Sequence, residues 1–133
     1  MNLRALLICD DVRVEVDGTL TLIGVRNDRL TVRPPPSGPI VIENLAVLVV
    51  VSGLSNFARV GFRAEIRDVE DASPIERPFT YENHVPSADE HNFIFGYSPM
   101  VFAGLGTYEV IVDLEVGMRP FTYRHRFRLE AAG

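Results

Sequence analysis

Two of the three histidines of the chain lie in one polar segment, residues 82–92, together with several carboxylates. His84 and His91 are seven residues apart, and Asp89 and Glu90 stand between them. Imidazole and carboxylate groups are zinc ligands, and a catalytic zinc site needs three of them and an open fourth position. A metal-binding protein or metal-dependent hydrolase is therefore one hypothesis for this chain. The spacing matches no known ligand pattern, so a polar loop without a metal is the favoured interpretation.

Asp10 and Asp11 form a second group of neighbouring carboxylates, at the end of an apolar run. Carboxylate oxygens suit hard cations such as calcium. Strand alternation, however, sends adjacent side chains to opposite faces. This favours a turn at the rim of the fold, in which one aspartate caps backbone amides and Arg13 lies nearby.

The remaining reactive residues form no catalytic set. His125 alternates with Tyr123 and Phe127, a pattern typical of an inward-facing structural histidine. Cys9 ends an apolar strand, where burial would leave its thiol unreactive. No nucleophilic triad, glycine-rich phosphate loop or zinc-protease motif can be drawn. The sequence predicts no catalytic residue, no cofactor and no enzymatic activity.

Aromatic side chains at alternate positions flank the polar segment. Phe79 and Tyr81 precede it, and Phe95 and Tyr97 follow it. Exposed aromatics of this kind would indicate a carbohydrate or lipid recognition module. Alternation is more simply explained by a core face.

Length and composition limit the classes of protein to consider. The 133 residues predict a single domain, residues 1–133. A net charge of −5 argues against nucleic-acid binding, and one cysteine precludes an internal disulfide. The longest apolar stretch, Leu45 to Val51, is too short to span a membrane. The run Ala5 to Cys9 is too short for an export signal, so a cytoplasmic location is expected. All 13 basic residues are arginine, which favours either a GC-rich genome or selection for bidentate ion pairs.

Period-two alternation of apolar and polar residues dominates the chain and predicts strands. Near the N-terminus it predicts a hairpin with the three-residue loop Val16-Asp17-Gly18, in which Gly18 is left-handed. That register places Val14 opposite Leu20 and Val12 opposite Leu22. A two-residue Asp-Gly turn would instead put the valines on the face of the threonines, since a slip of one residue reverses a strand's faces.

Near the C-terminus the alternation predicts a second hairpin, with the four-residue loop Gly117 to Pro120. Pairing Val116 with Phe121 would place Asp113 opposite Arg124 and Glu109 opposite Arg128. These would be favourable cross-strand ion pairs. Gly106-Thr107-Tyr108, before this hairpin, is similar to the turn of an immunoglobulin-like tyrosine corner, where the buried hydroxyl donates back to the backbone.

Between the hairpins, Ile40 to Val51 reads as one strand buried on both faces, and Ile75 to Glu82 as an edge strand interrupted by Pro78. The total is about eight or nine strands with little or no helix. The predicted fold is all-β: an antiparallel two-sheet sandwich, immunoglobulin-like or C2-like.

The segment from Ala5 to Glu15, followed by Asp17-Gly18-Thr19-Leu20-Thr21-Leu22-Ile23-Gly24-Val25, resembles a family of small bacterial proteins of unknown function. The likeness extends loosely through Leu45–Val51 to Gly106-Thr107-Tyr108. It implies an all-β fold and a bacterial, intracellular protein, and carries no activity or site residues.

These observations favour a non-enzymatic binding or assembly module. Open sheet edges must be protected or used. Self-association through edge strands is therefore expected, with another protein as an alternative partner.

Overall fold

The computed structural model describes residues 1–54, 59–70, 79–84 and 88–132, with the backbone alone at Phe79 and residues 81–84. These residues form twelve strands and no helix. The strands are β1 (Asn2–Cys9), β2 (Asp11–Val14), β3 (Leu20–Ile23), β4 (Arg29–Val32), β5 (Ile40–Ile42), β6 (Leu45–Ser52), β7 (Val60–Asp68), β8 (Phe79–His84), β9 (His91–Tyr97), β10 (Met100–Phe102), β11 (Gly106–Val116) and β12 (Arg119–Ala131).

Two sheets make up the body of the fold, and two short ribbons accompany them. One sheet has the order β1-β6-β9 and the other β4-β12-β11-β7-β8. Every pairing is antiparallel except that of β4 with β12, which is parallel. The ribbons are β2-β3 and β5-β10. The predicted all-β sandwich is confirmed, while an immunoglobulin-like or C2-like topology stays a prediction.

The core lies between the inner faces of the two sheets, and both contribute to one cluster of buried side chains. Val47 and Val49 enter it from β6, and Val110 and Val112 from β11. The Phe62 ring of β7 stacks on the Phe93 ring of β9, with centroids 4.3 Å apart and planes 7° from parallel. This stack joins the two sheets directly.

The N-terminal hairpin has the predicted register. Val12 pairs with Leu22 and Val14 with Leu20. Gly18 takes the left-handed φ of 86°, closing the three-residue loop. Asp17 stabilises this loop by accepting hydrogen bonds from the Thr19 hydroxyl at 2.6 Å and the Thr19 amide at 3.0 Å. These bonds, the hydroxyl's foremost, lower the pKa of the Asp17 carboxyl.

The C-terminal hairpin differs from the prediction by two residues. Val116 pairs with Arg119, so the loop contains only Gly117 and Met118. Both are left-handed, at φ 58° and 67°, as in the two-residue turns whose twist matches that of the strands. In such a turn the next pair out exchanges no hydrogen bonds. The nitrogen of Pro120 therefore faces away from β11, and proline fits within the strand.

This shift corrects both predicted ion pairs. Asp113 lies opposite Thr122, whose hydroxyl donates to it at 2.7 Å, and Glu109 lies opposite Arg126. Because the shift is even, every residue keeps its predicted face. An acidic strand still lies beside a basic one, with different partners.

The predicted strand from Ile40 to Val51 is two strands. Glu43 and Asn44 interrupt it, and the Ser98 hydroxyl contacts the Glu43 carbonyl at 3.0 Å and the Asn44 side-chain oxygen at 2.7 Å. The chain turns here, so that β5 pairs with β10 while β6 becomes the middle strand of its sheet. Short strands such as β5 explain why the described residues form twelve strands and not the expected eight or nine. The predicted edge strand, Ile75 to Glu82, overlaps β8, and residues 75–78 of the prediction lie outside the described part.

Tyr108 forms the predicted corner. Its ring is buried, and its hydroxyl donates to the Gly104 carbonyl at 2.6 Å. The bond fixes the entry into β11, which pairs with both β7 and β12.

Candidate functional site

The predicted metal-ligand segment is divided between two sheets. The backbone of His84 pairs with Val60 at the end of β8, and that of His91 pairs with Val51 at the start of β9. The segment is therefore not a loop throughout, since both of its ends are strand. The side chain of His84 and residues 85–87 lie outside the described part.

The described ligand candidates have structural contacts. Asp89 accepts from the Gly53 amide through its carboxylate at 3.3 Å, and from the Leu54 amide through its carbonyl at 3.0 Å. The His91 ring meets the Phe93 ring edge-on, with centroids 4.6 Å apart. Glu90 is exposed. Among the side chains that are described, no three of the metal-ligating types come together. A site that includes His84 stays a prediction.

Asp10 belongs to a rim turn, as expected, but its partner is Arg26 rather than a backbone amide. The Arg26 guanidinium donates through Nε at 2.9 Å and Nη2 at 3.3 Å. These hydrogen bonds raise the pKa of Arg26. The Arg26 amide also donates to the Ile8 carbonyl, and the Asp10 amide to the Ile23 carbonyl. We call the Asp10–Arg26 ion pair the Asp10 clamp. It connects the segment that follows β3 to the end of β1.

His125 has the structural role that its position predicted. Its Nε2 lies within hydrogen-bond distance of the Asn27 carbonyl, on the segment that crosses from β3 to β4. The imidazole thus holds this crossover against β12. Of the aromatic residues that suggested sugar or lipid binding, Phe95 is buried and Tyr97 half-buried, while the side chains of Phe79 and Tyr81 lie outside the described part.

Cys9 is fully buried, and burial together with Asp10 and Asp11 raises the pKa of its thiol. We expect a disulfide reagent to label the folded protein at least about 100-fold more slowly than the protein in urea. Because the folded-state pKa lies above the unfolded value, stability should also fall as the pH rises past about 8.5. A Cys9→Ala variant should lose that part of the pH dependence in urea titrations. Equal labelling of the folded and unfolded chain would contradict this placement.

The β2–β3 ribbon carries the largest group of exposed apolar side chains in the described part of the chain. We call residues 11–25 the arm. Val14 is 65% exposed and Val16 is fully exposed, while Ile23 and Val25 are exposed to a smaller degree. The arm belongs to neither large sheet.

The two faces of the arm differ in chemistry. Hydrogen-bonded pairing puts Val12, Val14, Leu20 and Leu22 on one face, where none is charged. Asp11 and Arg13 lie on the other, with their side chains 3.6 Å apart. Sequence reasoning predicted this apolar face and its register but did not say whether the face is buried. It predicted the turn at Asp10 but missed Arg26 as the partner that holds this turn.

An open cavity of about 300 Å³ adjoins the base of the arm. Asp11 and Val12 form one wall, and Ala46, Ile94 and Gly96 belong to the adjacent strands β6 and β9. Polar residues line the cavity as well, among them Asp10, Asn44 and Ser98, so its surface is of mixed character.

Comparison with known protein families gives a match over most of the chain. Residues 4–117 fit the model of DUF6941, a family of unknown function. The chain belongs to this family. The match extends beyond the segment 5–25 that carries the resemblance and includes the arm, the clamp and β11. No curated protein and no solved structure matches the chain. Within the described residues, no helix is long and apolar enough to cross a membrane.

Proposed function

We propose that this protein is a non-enzymatic binding module that self-associates through the apolar face of the arm. The observation that carries the proposal is the exposure of Val14, at 65%, on a face whose alternation is typical of burial, with the fully exposed Val16 close by in the loop. A face patterned for burial but left open in the single chain is completed by a partner.

The small size of the arm supports this assignment. An isolated ribbon of two strands is marginally stable in water and gains stability when an apolar layer covers it. Burying one valine side chain contributes about 1.5 kcal/mol or more. Val14 and Val16, with the half-buried Leu20 and Leu22, form the area that a partner would cover.

The distribution of charge favours a second copy as the partner. A two-fold contact brings identical surfaces together, so any charge on them meets its own kind. The apolar face of the arm carries no charge, because Asp11 and Arg13 project from the opposite face. Two copies can therefore meet there without like-charge repulsion. The edge of β1, by contrast, is already occupied at Ile8 by the Arg26 amide.

We expect Val14→Asp to weaken self-association by about 10- to 100-fold, since each contact would then bury a carboxylate. Sedimentation equilibrium over a range of concentrations measures the dissociation constant. Thr21→Asp is the matched control, because it adds the same charge to the same ribbon on the opposite face. A wild-type protein that stays monomeric at the highest concentration, or equal weakening by both variants, would overturn the proposal.

A further inference from the structure

The outer face of the five-stranded sheet contains two carboxylates that are almost completely buried. Glu65 of β7 is 2% exposed and Glu109 of β11 is 7% exposed. Carboxylates are rarely buried so deeply unless they are paired. Arginine side chains from β7 and β12 lie over them and form ion pairs with them. Arginine suits buried ion pairs better than lysine, so these pairs give the all-arginine composition a structural role.

Each buried carboxylate has two arginine partners. Glu65 pairs with Arg67 through Nη2, and with Arg63 at 3.6 Å. Glu109 accepts from Arg124 Nη1 at 2.8 Å and from Arg126 Nε at 3.2 Å. The guanidinium groups therefore more than balance the charge of both carboxylates.

A cavity of about 170 Å³ lies among these side chains. Its lining consists of Arg67, Asp68, Val69, Glu109, Arg124 and Arg126. Three guanidinium groups and two carboxylates surround it, so the lining carries a net positive charge. The Nε of Arg67 is inaccessible to solvent and has no hydrogen-bond acceptor within the described residues, so the donors available to a ligand are other guanidinium nitrogens.

The donors of this cavity exceed its acceptors. A guanidinium group has five N–H donors, and the ion pairs of Arg67, Arg124 and Arg126 each use one nitrogen. A small anion with several acceptor oxygens would accept hydrogen bonds from the unused guanidinium nitrogens of these three arginines together.

We propose that this cavity is a binding site for a tetrahedral oxyanion of the phosphate class. A free anion and the phosphate of a modified side chain have the same chemistry, and the test distinguishes them. The site lies on the outer face of the five-stranded sheet, so it is separate from the arm. A protein that fails to self-associate can still bind the anion, and the two proposals are tested independently.

The test is a titration of the full chain with inorganic phosphate at constant ionic strength, followed by isothermal calorimetry and by the melting temperature. We expect saturable binding. The melting temperature should rise with phosphate concentration by the amount that the measured dissociation constant predicts. Arg126→Gln removes a largely exposed lining residue and should weaken binding at least tenfold. Arg67→Lys keeps the charge beside Glu65 but replaces the planar guanidinium donors by a single ammonium group, and should also weaken binding.

Arg128→Gln is the matched control. Arg128 is on the same strand and face, pairs with Glu130 at 3.4 Å, and does not line the cavity. Its affinity should stay within about twofold of wild type. A phosphoserine peptide titrated in parallel distinguishes a protein-borne phosphate from the free ion. An absence of heat, or a melting temperature that rises without saturation and equally in all variants, would overturn the proposal, because bulk phosphate stabilises any folded protein.

Discussion

Replacement of Phe62 by alanine should destabilise the protein by about 4–6 kcal/mol, the largest loss expected from a single change. Truncating a buried phenylalanine costs about 3–5 kcal/mol through lost burial and the cavity left behind. The Phe62 ring also stacks on Phe93 and lies 6.1 Å from Phe95, and a stacked pair adds about 0.5–1.5 kcal/mol. Unfolding in guanidinium, followed by circular dichroism, measures the loss.

Phe121→Ala is the comparison for this variant. Phe121 is a half-buried phenylalanine of β12 beneath the Arg119 guanidinium, which lies 5.9 Å from its ring centre. Its removal should cost about 1–2 kcal/mol, because less apolar surface returns to water. A double-mutant cycle of Phe62→Ala with Phe93→Leu should show coupling above 0.5 kcal/mol. Additive losses, or equal costs at Phe62 and Phe121, would mean that the stack does not hold the sheets together.

Alternation predicted the faces of the strands better than it predicted their pairing. The N-terminal register could be predicted because only two turns were considered at Asp17-Gly18, a three-residue loop and a two-residue turn. Only the three-residue loop keeps Val14 opposite Leu20. The C-terminal register was wrong because Met118 adopts a left-handed conformation, which a non-glycine residue rarely takes. No sequence rule would have favoured Gly117-Met118 over the longer loop that ends at Pro120.

The candidate sites were less predictable, because they depend on contacts between residues far apart in the chain. Arg26 pairs with Asp10 after an intervening hairpin. Arg124 of β12 pairs with Glu109 of the adjacent strand β11. Alternation placed Val14 on an apolar face but could not show whether that face enters the core. That outcome depends on the bend at Asp10, which is a tertiary feature.

Gly24→Ala should destabilise the protein by about 2–3 kcal/mol and disturb the base of the arm. Gly24 has a φ of 65°, a conformation that costs a residue with a β-carbon about 1–2 kcal/mol. The added β-carbon would also lie 2.1 Å from Oδ2 of Asp10. Asp10 would have to rotate away from Arg26, which breaks the Asp10 clamp and costs about 0.5–1 kcal/mol for this partly exposed pair.

Gly18→Ala separates the two contributions, and urea unfolding measures both. Gly18 is also left-handed, with a φ of 86°, but nothing lies within 4 Å of the position that its β-carbon would take. Gly18→Ala should therefore lower the free energy of unfolding only by the backbone strain, about 1–2 kcal/mol. In an Asp10→Ala background the two closest atoms are removed and only the β-carbon of residue 10, at 3.2 Å, stays near, so Gly24→Ala should then cost close to what Gly18→Ala costs. If the cost of Gly24→Ala is unchanged in that background, the Asp10 clamp does not set the bend from β1 into β2. The orientation of the arm, and with it the surface proposed for self-association, would then need another cause.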